Sequence, residues 1–539
     1  MRLNLTLLAA GILLATGVST AQAQIYKIVL SGANEIPAVT TPGSGTAVLA
    51  LNSTTHQMRL RATFANLLGN TTASHIHCCV VQPANAGVAT TTPSFVGFPI
   101  GVTSGSWDNT YDMSVAGTWN PAFVTANGGT PASAEAAFLA GVTAGNMSYL
   151  NIHSASFPGG EIRGTPVRFS FVPSATAQTN SAAVALDSLG AGTGALTDKL
   201  MTLAAATSAA QATALERLLP SASYASELVT FGSMTTTFDQ FGARLQGLRR
   251  DTGSQAPITS GAAGSGGFWV KANSLNSDQD RKDGFAGFES EGWDIAAGIE
   301  TQLANGLTAG AAFSHTDHSL DHNDQLLGNT SDITGNQVSV YGTQAMGNAY
   351  VEGVIAYAQH DYEDKRNAGI AGAALADYEG DTWGGRIGAG YSAEVSPTVS
   401  VTPQIRLDWA SSDIDGYTET GDASLALRVG EQSYDHVRSS LGAQFDMATA
   451  MGNASARPFV RAFWNHDFKD DGEDVTAAFV GGGSSFITQG QDFDSDNFTL
   501  GLGVNFFGQG NFSAALAYDS TIGDDYKSHV IQAKAYWAF

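Results

Sequence analysis

Cysteine is almost missing from this sequence. Its 539 residues hold two, and these are neighbours, Cys78 and Cys79. That count excludes a disulfide-stapled scaffold and a four-cysteine zinc module. Charge is scarce as well, at 14% of residues, and one sign is short: 25 Lys and Arg stand against 49 Asp and Glu. No basic stripe exists to meet phosphate, so a nucleic-acid partner is disfavoured. After residue 23 no segment offers the ~20 uninterrupted apolar residues that a transmembrane helix needs. Any later meeting with a membrane must be made by strands. Gly-x-Ser-x-Gly, His-Glu-x-x-His, P-loop and dinucleotide fingerprints are all absent, so no motif commits the chain to catalysis.

What is present divides the chain. Residues 1–23 read as a secretory signal peptide: Arg2 is the charged start, 7–15 the apolar stretch, and Ala21-Gln22-Ala23 a small-x-small cleavage site before Gln24. Residues 24–165 are nearly neutral, with four bases and five acids. Residues 166–267 carry six of each, and 268–539 carry 14 bases and 38 acids. The whole net charge of −24 therefore lies in the last half.

That half repeats segments of about ten residues that alternate apolar and polar. Val399, Val401, Pro403, Ile405, Leu407 and Trp409 share one side, and Ser400, Thr402, Gln404, Arg406 and Asp408 the other. Phe498, Leu500, Leu502, Val504 and Phe506 repeat the pattern, as do Phe512, Ala514, Leu516 and Tyr518. Twelve strands are expected, starting near 268, 291, 306, 332, 348, 379, 398, 430, 455, 495, 509 and 527. Connections are short at Ala304-Asn305, Gly347-Asn348, Ser396-Pro397, Gly452-Asn453 and Gly508-Gln509. They are long and acidic over 316–331, 361–378, 411–429 and 466–494. Short turns on one side, long loops on the other and an even strand count describe an outer-membrane barrel, with lipid as partner outside. Pro403 is awkward there, because proline removes a ladder hydrogen bond.

Residues 171–220 read as an Ala/Ser/Thr-rich linker. Phe231, Met234, Phe238, Phe241, Leu245 and Leu248 then form a single helical stripe over about 222–250, ending at Arg249-Arg250, where positive charge suits the helix dipole. A Gly/Ser stretch, 259–267, leads to the first barrel strand. The last strand ends Ile531, Ala533, Ala535, Trp537, Phe539 on one face. A helix directly ahead of a twelve-stranded C-terminal barrel, closed by an aromatic residue, resembles the autotransporter (type V secretion) translocator over roughly 222–539. The resemblance implies a helix that plugs the lumen and an upstream passenger carried to the cell surface. It also implies recognition of the Phe539 strand by the barrel-assembly machinery. No long β-helical passenger and no asparagine-pair cleavage site in the helix are seen, which leaves release of the passenger open.

The passenger, 24–165, reads as β, with candidate strands at 25–30, 45–51, 58–64, 74–81, 112–117 and 147–153, and a turn or two of helix at 133–141. Six to eight such strands suggest an antiparallel β-sandwich. Leu30-Ser31-Gly32-Ala33-Asn34-Glu35-Ile36-Pro37 opens this region and His75-Ile76-His77 forms one strand. It closes with Tyr149-Leu150-Asn151-Ile152-His153-Ser154 and Phe157-Pro158-Gly159-Gly160-Glu161-Ile162-Arg163-Gly164. These resemble a CHRD domain across nearly all of 24–165. That family implies a β-sandwich and no established bacterial activity, and the growth-factor binding of chordin does not transfer to it.

On a strand His75, His77 and Cys79 share one face, while Ile76, Cys78 and Val80 share the other, the core. His153 sits beside Ile152 on the closing strand and points away from the core. Two imidazoles two apart, a third from another strand and a thiolate make a metal constellation suited to copper or zinc. The His-x-His strand also resembles that of copper-zinc superoxide dismutase, without a fourth copper histidine, a zinc loop or the cross-sheet disulfide. Against the metal reading stands one of histidines that only make structural hydrogen bonds. Cys78-Cys79 is open between a vicinal disulfide at a turn and bridging between molecules. Glu161 and Arg163 share a parity and are expected to pair.

The sequence thus describes an all-β protein: an N-terminal antiparallel β-sandwich, a helical linker and a 12-stranded transmembrane β-barrel in a Gram-negative outer membrane. It exports and anchors a small CHRD-like binding or structural module, whose surface ligand is not named. Two alternatives are a passenger that binds copper or zinc or is redox-active, and an outer-membrane channel with a periplasmic accessory domain.

Overall fold

A strand whose side chains alternate apolar and polar needs two different environments on its two sides. The protein supplies them in two opposite ways. A computed structural model describes residues 24–189, 194–220, 223–249, 266–304, 306–422, 424–451, 454–469, 472–492, 494–507 and 511–539. Residues 1–23, where a signal peptide is expected, and most of the Gly/Ser stretch lie outside them, as do Asn305 and the Gly452-Asn453 and Gly508-Gln509 turns. The chain forms two units, one of residues up to Ser170 with Ser188–Ala206, the other of Phe171–Asp187 with Thr207–Phe539.

In the first unit the strands are β1 (Gln24–Ser31), β2 (Ser44–Asn52), β3 (Gln57–Ala65), β4 (Thr71–Cys78), β5 (Gly105–Asp112), β6 (Ser148–Ser154), β7 (Ile162–Gly164) and β8 (Val167–Arg168). They make one antiparallel path, β4-β6-β7-β1-β2-β3-β5, with β8 also paired to β1. Ile28, Leu49, Leu60, Ile76, Leu150 and Ile152 come from five strands, β1, β2, β3, β4 and β6, and all are fully buried in one cluster. The two ends of the path therefore face each other across a shared core, sandwich fashion. Helix α1 (Pro121–Ala126) leads to α2 (Pro131–Thr143), which is longer than the turn or two expected. Its Thr130/Ser133 capping box and first-turn Pro131 fix its start, and Phe138 and Val142 fill the core. The strand expected at 112–117 lies earlier, as β5. Asp112 accepts the Ser114 N–H at 2.8 Å, and this side-chain turn ends the strand.

In the second unit twelve strands close on themselves. They are Gly266–Gln279, Phe288–Gln302, Leu307–His322, Thr330–Met346, Ala349–Asn367, Ala373–Tyr391, Val399–Ile414, Gln432–Met447, Ala454–Asp467, Asp496–Phe507, Phe512–Ile522 and Tyr526–Ala538. Each is antiparallel to the next, and the last pairs with the first through Ala533 and Ala272. Closure leaves no edge strand. The apolar faces point outward: Ile299, Val340, Ile387, Ile405, Leu441 and Leu500 are all more than half exposed. Lys271, Asn273, Gln404, Arg406, Asp408 and Arg461 point inward and are buried. Trp293, Trp383, Trp409 and Trp464 ring one end of the apolar band, while Phe268, Phe445, Phe512 and Trp537 ring the other. These are the two aromatic girdles of a barrel surface facing lipid.

Pro403 finds its place at a gap. The partner strand pairs up to Gly390 opposite Gln404, then a short strand resumes at Ala393 opposite Val401. The ladder is interrupted beside Pro403, where its missing N–H costs nothing. Two of the expected long loops, 316–331 and 361–378, are largely strand. Their acids continue the alternation, with Asp361 and Glu363 exposed while Tyr362 and Asp364 are buried. They form the outer face of strands that rise beyond the lipid band. The loops over 415–431 and 468–495 carry a small four-stranded sheet, tied to the barrel wall by Arg366, which donates to both Glu419 oxygens at 2.7 and 2.6 Å.

A helix, Ser223–Arg249, runs inside the barrel. Phe231, Met234 and Phe238 of the expected stripe pack on Trp269, Tyr341, Ala356 and Ala410 of the wall. Gly384 leaves the room that Met234 occupies. The side chains of Phe241, Leu245 and Leu248 lie outside the described residues. The helix is buried on more than its apolar stripe, because a lumen surrounds it. Ser233 donates to Asp294 at 2.8 Å, Glu227 meets His436 at 3.0 Å, and Asp239 joins Arg386 and Arg406.

Candidate metal centre

Strand pairing assembles the site. β4 and β6 are antiparallel, with Ala73 opposite His153, His75 opposite Asn151 and His77 opposite Tyr149. Residues directly opposite point to the same side, so this register places all three histidines on one face. Ile76 and Cys78, on the other side of β4, join the apolar core, as the alternation requires.

Each imidazole is oriented by one backbone carbonyl. His75 Nε2 lies 2.7 Å from Pro93 O, His77 Nδ1 2.9 Å from Ala86 O, and His153 Nδ1 2.9 Å from Pro158 O. A carbonyl only accepts, so each of these nitrogens carries the hydrogen. The nitrogens left with lone pairs are His75 Nδ1, His77 Nε2 and His153 Nε2. The three residues can offer ligand atoms all within 4.8 Å of one another. His75 Nδ1 and His153 Nε2 face each other at 3.3 Å, and His77 Nε2 is buried without a partner among the described residues. Burial holds the imidazoles neutral: it lowers His75 and His153 below the usual histidine range and His77 to about 4.

Cys79 does not join them. The strand ends at Cys78, and Cys79 adopts φ +143°, which breaks the alternation. Its sulfur is bonded to Cys78 and the residue packs against the apolar core. Gly141 of α2 provides the space, since a Cβ there would collide with the Cys78 sulfur. A thiolate is therefore not available to the site, and the pair is a vicinal disulfide.

Around the histidines lies a polar surround that the motifs quoted above carry without showing its arrangement. Tyr149 stacks on His77 with ring centroids 4.7 Å apart, and the Arg163 guanidinium lies over the Tyr149 ring, 4.3 Å from its centroid. Arg163 reaches Asn85 Oδ1 at 2.7 Å and stands 4.0 Å from the buried Glu35 carboxylate. Desolvation pushes Glu35 up to about 7 against the pull of Arg163 and the hydrogen bond from Asn151. Parity on β6 is the signal that would have placed Tyr149 and Asn151 beside His153. Glu161 and Arg163 do not pair, contrary to expectation. The Glu161 carboxylate is enclosed by Thr41, Ser154 and the N–H groups of Leu68 and Gly69. Burial raises its pKa, and these four donors bring it below the usual carboxylate range.

Comparison with known proteins gives two family matches. Residues 268–519 match the autotransporter β-domain and residues 26–165 the CHRD domain. Outer membrane protein B of Rickettsia prowazekii is 25% identical over 322 residues, 56% of this chain and 20% of that protein. Lipase 1 of Photorhabdus luminescens is 30% identical over 159 residues, 28% of this chain and 24% of that protein. The chain thus spans about a fifth to a quarter of these relatives' length. The translocator domain of the autotransporter NalP from Neisseria meningitidis aligns over 57% of this chain and 98% of its own, with 14% identity and a TM-score of 0.44.

Proposed function

From a chain that carries an autotransporter β-domain behind a CHRD domain, and that resides in the Gram-negative outer membrane, we propose that the barrel exports the CHRD module to the cell surface and anchors it there as a binding or structural unit. The course of the lumen helix carries this reading. Its early residues Leu228 and Val229 pack with Phe288, Leu320, Ile333 and Tyr362, at the barrel end where the long hairpins lie. The segment ahead of it is held among those hairpins. Arg217 donates to Gln325 O at 2.8 Å, and Arg366 donates to Arg217 O at 2.8 Å. A chain that leaves the lumen among the long loops continues outside the cell. A channel with a periplasmic domain needs the opposite course and an open lumen, and the helix opposes both. The terminal strand, ending at Phe539, is the segment that the assembly machinery would read.

Protease added to intact cells tests this. Residues 24–165 are expected to be cut while the barrel survives in the membrane fraction. A module that resists until the outer membrane is permeabilised would overturn export and restore the periplasmic reading.

A further inference from the structure

We propose that the sheet module holds one transition-metal ion of the copper–zinc kind through His75 Nδ1, His77 Nε2 and His153 Nε2, with a fourth position left for an exogenous ligand. The inference says what the module binds, and it stands whether or not the export reading does.

The tautomers make the argument. With their other nitrogens committed to carbonyls, His75 Nδ1 and His153 Nε2 present two lone pairs to each other at 3.3 Å. Two neutral acceptors repel at that distance unless a cation or a proton stands between them. A tetrahedral centre with metal–nitrogen bonds of about 2.0–2.1 Å separates its nitrogens by about 3.3 Å, which is the separation found. His77 Nε2 supplies the second, independent observation. It is a polar atom on a residue 9% exposed, without a partner among the described residues, and His77 belongs to the group of three whose ligand atoms lie within 4.8 Å of one another. Coordination requires the His77 ring to turn its free nitrogen toward the other two. An unpartnered buried nitrogen is costly in a structure that needs it only for packing, and a metal removes that cost.

The outer shell is that of a metal site as well. Each histidine donates its remaining N–H to a backbone carbonyl, the arrangement that fixes ring orientation and raises ligand basicity. Stacking on Tyr149 holds the His77 plane. The donor set selects the ion. Three neutral imidazoles with no carboxylate or thiolate exclude calcium and magnesium, which take oxygen ligands, and suit copper and zinc. Three protein ligands leave a coordination position open, the pattern of sites that bind a small anion or water rather than of closed structural sites.

The test uses the full chain, purified in detergent without a histidine tag, stripped with chelator and reloaded with zinc, copper(II) or cobalt(II) alone. One ion per chain is expected. In the His75→Ala, His77→Ala variant, folded by circular dichroism, occupancy should fall to about a tenth or less. Cobalt serves as a second readout that needs no variant, so a failure of the variant to fold does not stall the test. The loaded chain should show the intense visible bands of four-coordinate cobalt, and these should shift on adding azide to the open position. No ion retained after loading, an ion retained by the folded double variant, or only the weak bands of six-coordinate cobalt would each overturn the proposal.

Discussion

The two units share a period and invert its meaning. In the sheet module alternate residues such as Ile28, Leu49 and Leu60 turn inward to a dry core, and the polar side meets water or, at β4 and β6, forms a histidine site. In the barrel alternate residues such as Ile405, Leu441 and Leu500 turn outward. The polar side is enclosed and holds charges in pairs: Arg386 reaches Asp408 and Asp239, and Arg461 reaches Asp519. A period of two identifies strands and cannot say which face is inside. The outward face is set by what surrounds each unit, lipid in one case and water in the other.

The largest expected effect breaks the enclosed charge network. Asp408→Ala leaves the Arg386 guanidinium buried with only Asp239, and should cost about 3–5 kcal/mol of barrel stability. The shift of the heat-modifiable folded band to lower temperature on gels checks it. The matching change in the sheet module, Asp108→Ala, removes a partly exposed partner of Arg59 and Arg61, which keep Asp198. It should cost about 0–1 kcal/mol. Equal losses would mean that the lumen is as wet as the module's surface.

The next effect is smaller and tests the inversion itself. Ile405 is 56% exposed and Val29 59%, so area alone calls them equivalent. Ile405→Arg should cost about 2–4 kcal/mol in a bilayer, because its surroundings are lipid. Val29→Arg should stay within about 0.5 kcal/mol. Unfolding in lipid vesicles against urea reads both, and a harmless arginine at 405 would move the lipid band elsewhere.

Much of this was legible in the sequence. Period two, five short turns and an even strand count gave the barrel, and His75-Ile76-His77 announced a shared face. What was not legible was long-range. The position of Cys79 depended on a single positive φ that ends β4, and the failure of Glu161 to meet Arg163 depended on Thr41, Leu68 and Gly69 folding around it. The acids at 361–378 looked like loop because composition outweighs period when polar residues occupy both faces. Tautomers were likewise invisible, since Pro93, Ala86 and Pro158 come from loops whose paths no local pattern fixes.

The last prediction concerns pH and belongs to the module alone. The folded Glu35 carboxyl holds its proton up to about 7, while its ordinary value is 4.5. Between those values the folded state binds more protons than the unfolded chain, so stability falls as pH rises through the window. The loss totals about 3 kcal/mol and is complete above pH 7. Arg163, 4.0 Å away, and Asn151 face the carboxyl and soften its burial without cancelling it. The buried histidines of β4 and β6 run the opposite way, since their lowered values make stability rise with pH below the usual histidine range. A single pH curve would mix the two. Glu35→Gln keeps the shape and removes one titration, so the difference between wild type and variant isolates the carboxyl. Pulse proteolysis of the module in urea, within the full metal-free chain, should show the wild type losing ground to the variant from pH 4.5 to 7 and running parallel above it. Parallel curves throughout would mean that Glu35 ionises freely in the fold, and that Arg163 outweighs the cost of its burial.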